Sequence, residues 1–220
     1  MKEIAKELLG IGAVKFNPDV KNPFIFKSGI KSPIYCDNRS AYGDPDVRKM
    51  IVECLQDEAE KMWNAYDKKN NTRSNVIIVG VATGAIGWGF GVASNYLETP
   101  FAYARAEAKD HGTKQKIDGY KLTPDDKVII IEDLISTGGS SLAAVEAVRE
   151  TGAEVIGMVA IMTYDFPTAA KAFENAGVSL ITLTNYTELV KAAVEEGHFT
   201  PEVGAVLDNW HNAPENWGEL

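Results

Sequence analysis

Glu132 and Asp133 are followed within ten residues by Ser136, Thr137, Gly138, Gly139, Ser140 and Ser141, so two carboxylates stand next to four hydroxyls and two glycines. Glycines let the backbone approach an anion without a Cβ in the way. Hydroxyls and the unpaired N–H groups of a helix start can donate to that anion, and the positive end of the helix dipole favours its charge. A monophosphate fits such a cradle. Carboxylates just before it suit a metal or a cluster of sugar hydroxyls. The plain alternative, a strand–helix corner that merely needs flexible residues, does not account for the paired acids. Neither G-x-G-x-x-G nor G-x-x-x-x-G-K-[ST] is present, so the common nucleotide fingerprints do not apply.

A second small-residue turn runs Gly80-Val81-Ala82-Thr83-Gly84-Ala85-Ile86-Gly87. A third polar stretch follows Arg105 and spans 106–121, where Lys109, Lys114 and Lys116 accompany His111 and apolar residues almost vanish. A solvated connection would read the same way. A basic, Gly-flanked segment beside two anion cradles is also what a catalytic lid requires, because it brings cations over charged substrate and excludes water.

The elements that must position these residues follow from the apolar pattern. Val128 to Ile131 forms a β-branched run typical of a strand buried on both faces, ended by the acids and followed by a helix from about Gly139. Val76–Val79, Phe101–Arg105, Glu154–Thr163 and Val178–Leu183 read as further strands. Asp44-Pro45 caps a helix whose apolar face runs from Val47 to Trp63, with a surface loop expected over 64–75. Phe166 to Ala176 is a helix ended by Gly177, Asn185 to Glu188 resembles a capping box, and Thr200-Pro201 starts a last short helix. The order is that of an α/β protein with a doubly wound, mainly parallel sheet. Phe24 to Asp37 gives short extended pieces around a Ser-Gly turn, within a small N-terminal hood expected over 1–43. In a parallel sheet both small-residue turns lie at the carboxyl ends of strands, where open α/β folds bind ligands.

The 220 residues suit a single domain, and a net charge of −9 argues against general binding to nucleic acid or an anionic membrane. Residues 1–9 read as an amphipathic helix without the apolar core of a signal peptide, and no run approaches membrane-spanning length. Cys36 and Cys54 lack metal-ligand spacing and read as free thiols in a reducing cytoplasm.

The segment Val128 to Ser141 resembles the phosphoribosyl-pyrophosphate (PRPP) signature of the type I phosphoribosyltransferases. That resemblance implies that Glu132 and Asp133 face the ribose while Ser136, Thr137, Gly138, Gly139 and Ser140 wrap the 5′-phosphate. The turn at Ala82 and Thr83 would meet the pyrophosphate through its backbone. Two further stretches, F-x-F-K-S-G-x-K-S-P-x-Y from Phe24 to Tyr35 and Arg105 followed by E-A-K-D-H-G, are similar to the hood and lid of the orotate phosphoribosyltransferase family. By the same resemblance Lys27, Tyr35 and Thr137 meet orotate, with Ile34 standing where the family often has a second aromatic residue. Arg105, Lys109 and His111 would bind pyrophosphate, and Lys109 and His111 would reach the neighbouring subunit of a homodimer. Lys109 and Asp133 are the expected catalytic residues. Family lysines are absent at Ala106 and in the Ala82–Gly84 turn, and Thr163-Tyr164 stands where some members carry an arginine for the orotate carboxylate.

The resemblance implies an enzyme, a pentosyltransferase making orotidine 5′-monophosphate and pyrophosphate in pyrimidine synthesis. Its Mg²⁺ would be held through PRPP and water rather than by direct protein ligands. The PRPP signature alone leaves open a purine or uracil as the base; hood and lid favour orotate. A non-catalytic PRPP-binding regulator would lose the lid lysine and gain a DNA-binding helix pair, for which the short N-terminal stretch leaves no room.

Overall fold

Two of the apolar runs become neighbouring parallel strands at the middle of a six-stranded sheet. The computed structural model describes residues 2–72, 74–105 and 116–217. Strand β5 (Val76–Val81) is buried along its whole length, and β8 (Lys127–Ile135) is fully buried from Val128 to Ile131, as strands covered on both faces must be. With the other sheet strands, β6 (Phe101–Ala104), β7 (Ile117–Gly119), β9 (Glu154–Thr163) and β10 (Leu180–Asn185), the order is β10-β9-β8-β5-β6-β7. All pairs are parallel except β6 with β7. The expected doubly wound, mainly parallel sheet is therefore the observed one.

Helix α3 (Ile86–Val92) links β5 to β6, while α4 (Gly139–Arg149) links β8 to β9 and α5 (Pro167–Asn175) links β9 to β10. The first connection runs towards one edge of the sheet and the other two towards the opposite edge. Right-handed crossovers then place α3 on one face and α4 and α5 on the other. The direction of winding reverses between β5 and β8, and a crevice opens at the carboxyl ends of strands at such a reversal.

Helix α2 (Pro45–Asn70) starts as expected: the Asp44 carboxylate accepts from the N–H groups of Asp46 and Val47, and Pro45 takes the first helical position. It ends later than expected. Residues 64–70, read from sequence as loop, are about two more turns of helix. The apolar stripe stops near Trp63, but tertiary ties continue beyond it. The Tyr66 hydroxyl donates to Glu154 on β9, and Trp63 Nε1 donates to Ser74, whose hydroxyl donates to Asp67. Lys68 and Lys69 suit the negative end of the helix dipole, and Asn71 closes the helix in the left-handed region. The acids do not end β8 either, since the strand runs on to Ile135 and pairs with β9 past them.

The hood is built from several pieces. Helix α1 (Lys2–Gly10) buries Ile4, Ala5, Leu8 and Leu9 and is bound to α6 (Tyr186–Glu195) and the residue after it by ion pairs Lys2–Glu195 and Lys6–Glu196. Strand β1 (Val14–Phe16) pairs antiparallel with β4 (Ile34–Cys36), and β2 (Phe24–Ile25) with β3 (Lys31–Ser32) around Ser28-Gly29. Helix α7 (Pro201–Asn212) docks here: Trp210 is buried, its ring lies edge-on to Phe26, and its Nε1 donates to the Lys31 carbonyl at 2.9 Å. His211 Nε2 donates to the Tyr164 carbonyl, and its ring stacks on Tyr186. Residues 117–119 of the expected lid segment are the edge strand β7, paired with β6. Ala106, Lys109 and His111 lie outside the described residues. No described helix is long and apolar enough to cross a membrane.

Candidate active site

Because β5 and β8 lie side by side and parallel, the turns that follow them emerge together. Ala82, Thr83 and Gly84 from one and Ser136 to Ser141 from the other line a single cleft of about 700 Å³. Lys27 and Tyr35 of the hood line it too. Most of the residues picked out by type and spacing thus converge, although they are spread over more than a hundred positions of sequence.

The cradle has the geometry an anion site needs. Gly138 caps α4 at φ +83°, in the left-handed region, and no side chain caps the helix N-terminus. A Cβ on Gly138 would sit 3.0 Å from the Phe173 ring. At Gly139 a Cβ would meet nothing within 4 Å, so the first turn of the helix opens on free space. Its N–H groups and the hydroxyls of Ser136, Thr137 and Ser140 are available to a phosphate there.

The two acids differ. Glu132 is buried; its Oε1 accepts from the Asp133 N–H at 2.9 Å and its Oε2 from the Ser141 hydroxyl at 2.7 Å. Burial first, and the neighbouring Asp133 charge second, push its carboxyl well above the usual carboxylate range. Its bond to Ser141 therefore ties β8 to the first turn of α4. Asp133 is half-buried, and its carboxylate packs against the second loop so closely that a Cβ at Gly84 would fall 1.9 Å from its Oδ2. Any side chain there would force the carboxylate or the loop to move. The Ala82–Thr83 peptide in the same loop is cis.

Several side chains that hold the cleft were not legible as site residues. Asn38, buried, donates from Nδ2 to the Asp133 carbonyl at 2.6 Å and so fastens the hood to β8. Tyr42 stacks on Trp88 with ring centres 4.2 Å apart and donates its hydroxyl to the Gly84 carbonyl at 2.6 Å; burial raises its pKa to about 12. Tyr164 is buried at the floor and accepts the Cys36 N–H, and Arg39 lines the wall beside Tyr35. The one sequence signal for this group is the polar run Cys36-Asp37-Asn38-Arg39-Ser40 after a strand. A buried asparagine or an anchoring tyrosine has no spacing rule that reveals it.

In the hood, Tyr35 packs against Phe24 with ring centres 5.6 Å apart, whereas Ile34 points into the core and is fully buried. Alternation along β4 explains the difference. Arg105 is not among the residues that line the cleft. Its guanidinium binds Asp118 at 3.1 Å and the Tyr103 hydroxyl at 3.2 Å and lies over the Tyr103 ring.

Among the described residues no group of three or more His, Cys, Asp or Glu could cage a metal ion. The Asp133 carboxylate on the cleft would suit a Mg²⁺ held mainly through its own waters.

An anion cradle and a facing loop at the reversal point of a parallel sheet, roofed by a small hood, define a phosphoribosyl transferase domain, and the family model of that description matches residues 48–192. A relative from Phocaeicola vulgatus, an orotate phosphoribosyltransferase, is 46% identical over 216 residues, 98% of this chain and 96% of the relative. The chain belongs to the orotate phosphoribosyltransferase family. Among solved structures, orotate phosphoribosyltransferase from Aeropyrum pernix superposes with a TM-score of 0.71 at 26% identity, over 89% of this chain and 99% of that one. Leishmania donovani UMP synthase shares the fold with a TM-score of 0.75 at 24% identity over 96% of this chain, which spans 42% of that longer protein.

Proposed function

We propose that the protein transfers the 5-phosphoribosyl group of PRPP to orotate, giving orotidine 5′-monophosphate and pyrophosphate in pyrimidine synthesis. The observation that carries this reading is the convergence of the open α4 N-terminus, the Asp133 carboxylate and the Tyr35 face of the hood on one cleft.

The 5′-phosphate would sit on Ser136, Thr137, Gly138, Gly139 and Ser140, where helix N–H groups offset its charge. Asp133 then faces the ribose. As pyrophosphate leaves C1 the sugar gains positive character, which a nearby carboxylate stabilises. Glu132, engaged with Ser141 and the Asp133 N–H, keeps that carboxylate and the cradle in fixed relation. Thr83 and Ala82 lie where backbone groups would meet the pyrophosphate, and Gly84 lets the loop close on Asp133. Tyr35 covers the flat base, with Lys27 and Thr137 at its rim. Asp133 would hold Mg²⁺ through water or ribose hydroxyls, and the ion would supply positive charge that offsets the leaving pyrophosphate. Arg105, Lys109 and His111 would serve the leaving group, with Lys109 and His111 supplied across a homodimer. Family resemblance supports that arrangement, and the two free cysteines suit a cytoplasmic location.

Loss of orotate absorbance in the presence of PRPP and Mg²⁺ tests the proposal, run beside uracil, hypoxanthine and adenine. Turnover confined to orotate is the expected result. Preferential turnover of another base, or none of any, would reject it.

A further inference from the structure

Orotate differs from uracil by a carboxylate on the ring carbon beside the reacting nitrogen, so a site for orotate must read both a flat ring and an anion. Among the described residues the cationic side chains that line the cleft are Lys27 and Arg39. They are held very differently.

Lys27 stands in the exposed turn between β2 and β3, a flexible stem ending in a point charge. Arg39, also exposed, is oriented by its own segment. Its Nε donates to Asp37 Oδ1 at 2.7 Å and its Nη2 to the Tyr35 hydroxyl at 3.2 Å. Those two bonds occupy the inner edge of the guanidinium. Nη1 makes no hydrogen bond among the described residues, so the outer edge, Nη1 with the second hydrogen of Nη2, remains able to take a carboxylate end-on with two bonds. The residue between, Asn38, is bonded to the Asp133 carbonyl at 2.6 Å. The aromatic face, the fork and the acid beside the ribose thus form one connected unit, and ordering the arginine costs little on binding because Asp37 and Tyr35 have already oriented it.

We infer that Arg39, aligned by Asp37 and Tyr35, is the residue that recognises the carboxylate of the base and selects orotate over neutral pyrimidines. The inference rests on the function proposed above.

The test compares the wild-type chain with Arg39→Ala, Arg39→Lys and Lys27→Ala by steady-state kinetics with orotate and PRPP, and with PRPP titrated calorimetrically. Losing a bidentate bond to a charged group raises the orotate KM of Arg39→Ala by about 10- to 100-fold. The PRPP dissociation constant stays within about two-fold, which also shows that the variant is folded. Arg39→Lys keeps the charge without the fork and retains at least about a five-fold increase in orotate KM. An orotate KM unchanged in Arg39→Ala, or raised only in Lys27→Ala, overturns the inference while leaving the reaction intact. If the wild-type chain itself consumes no orotate, the proposed function fails instead.

Discussion

Replacing Gly84 by alanine tests whether the contact between the two loops sets the reaction geometry. Gly84 is not in the left-handed region, so its backbone accepts alanine. The difficulty is spatial: the new Cβ would lie 1.9 Å from Asp133 Oδ2, 2.4 Å from Cγ and 2.8 Å from Oδ1, where real Cβ contacts below 3.0 Å are essentially never found. The carboxylate must retreat by about 1 Å, or the loop must move at an overpacking cost of roughly 1–3 kcal/mol. A misplacement of about 1 Å at a reacting centre costs about 100-fold in rate, equivalent to about 2.7 kcal/mol. The assay is the initial rate of orotate consumption at varied PRPP, with a thermal melt to confirm the fold. Gly84→Ala should lower kcat/KM for PRPP about 100-fold, whereas adding it to Asp133→Ala should change the rate less than about two-fold, because the group it displaces is gone. Activity within about three-fold of wild type, or an equal loss in both backgrounds, would refute the reasoning.

Gly139→Ala enters open space and should leave the melting temperature unchanged or raise stability by up to about 1 kcal/mol, while weakening PRPP at least about ten-fold in calorimetry; undiminished PRPP binding would contradict the phosphate assignment. Burial and Asp133 raise the Glu132 pKa, so its stabilising contribution is complete below the ordinary carboxylate value of 4.5 and is lost as pH rises through the raised one. Melts of substrate-free Glu132→Gln should therefore decline less steeply with rising pH than those of wild type, and parallel curves would count against a buried neutral carboxyl. Trp210→Phe removes the bond to the Lys31 carbonyl, worth about 1 kcal/mol, and keeps most of the packing. Its orotate KM should rise more than its PRPP KM, since Phe26 and Lys31 belong to the hood; equal changes would show that α7 does not position the base.

Much of this was legible in the chain because it depends on local rules. β-branched runs bounded by turn residues mark buried strands, an Asp-Pro pair marks a helix start, and a Gly-Gly corner between strand and helix marks an anion cradle. The parallel sheet, the glycine turn into α4 and the turn after β5 follow from such patterns, and each lies where the pattern placed it. What tertiary structure alone decided has another origin. The helical continuation over 64–70 is polar by sequence and is held by Glu154 and Ser74, residues the local pattern cannot weigh. The unlike environments of Glu132 and Asp133, adjacent and both acidic, arise because alternation along β8 turns one into the protein and the other towards Gly84. Asn38, Tyr42 and Trp210 act through partners 42 or more residues away, as in the bonds of Tyr42 to Gly84 and of Trp210 to Lys31. Periodicity and spacing record what a residue does to its neighbours in the chain, while the hood, its clamp and the alignment of Arg39 come from contacts that exist only once distant segments have packed.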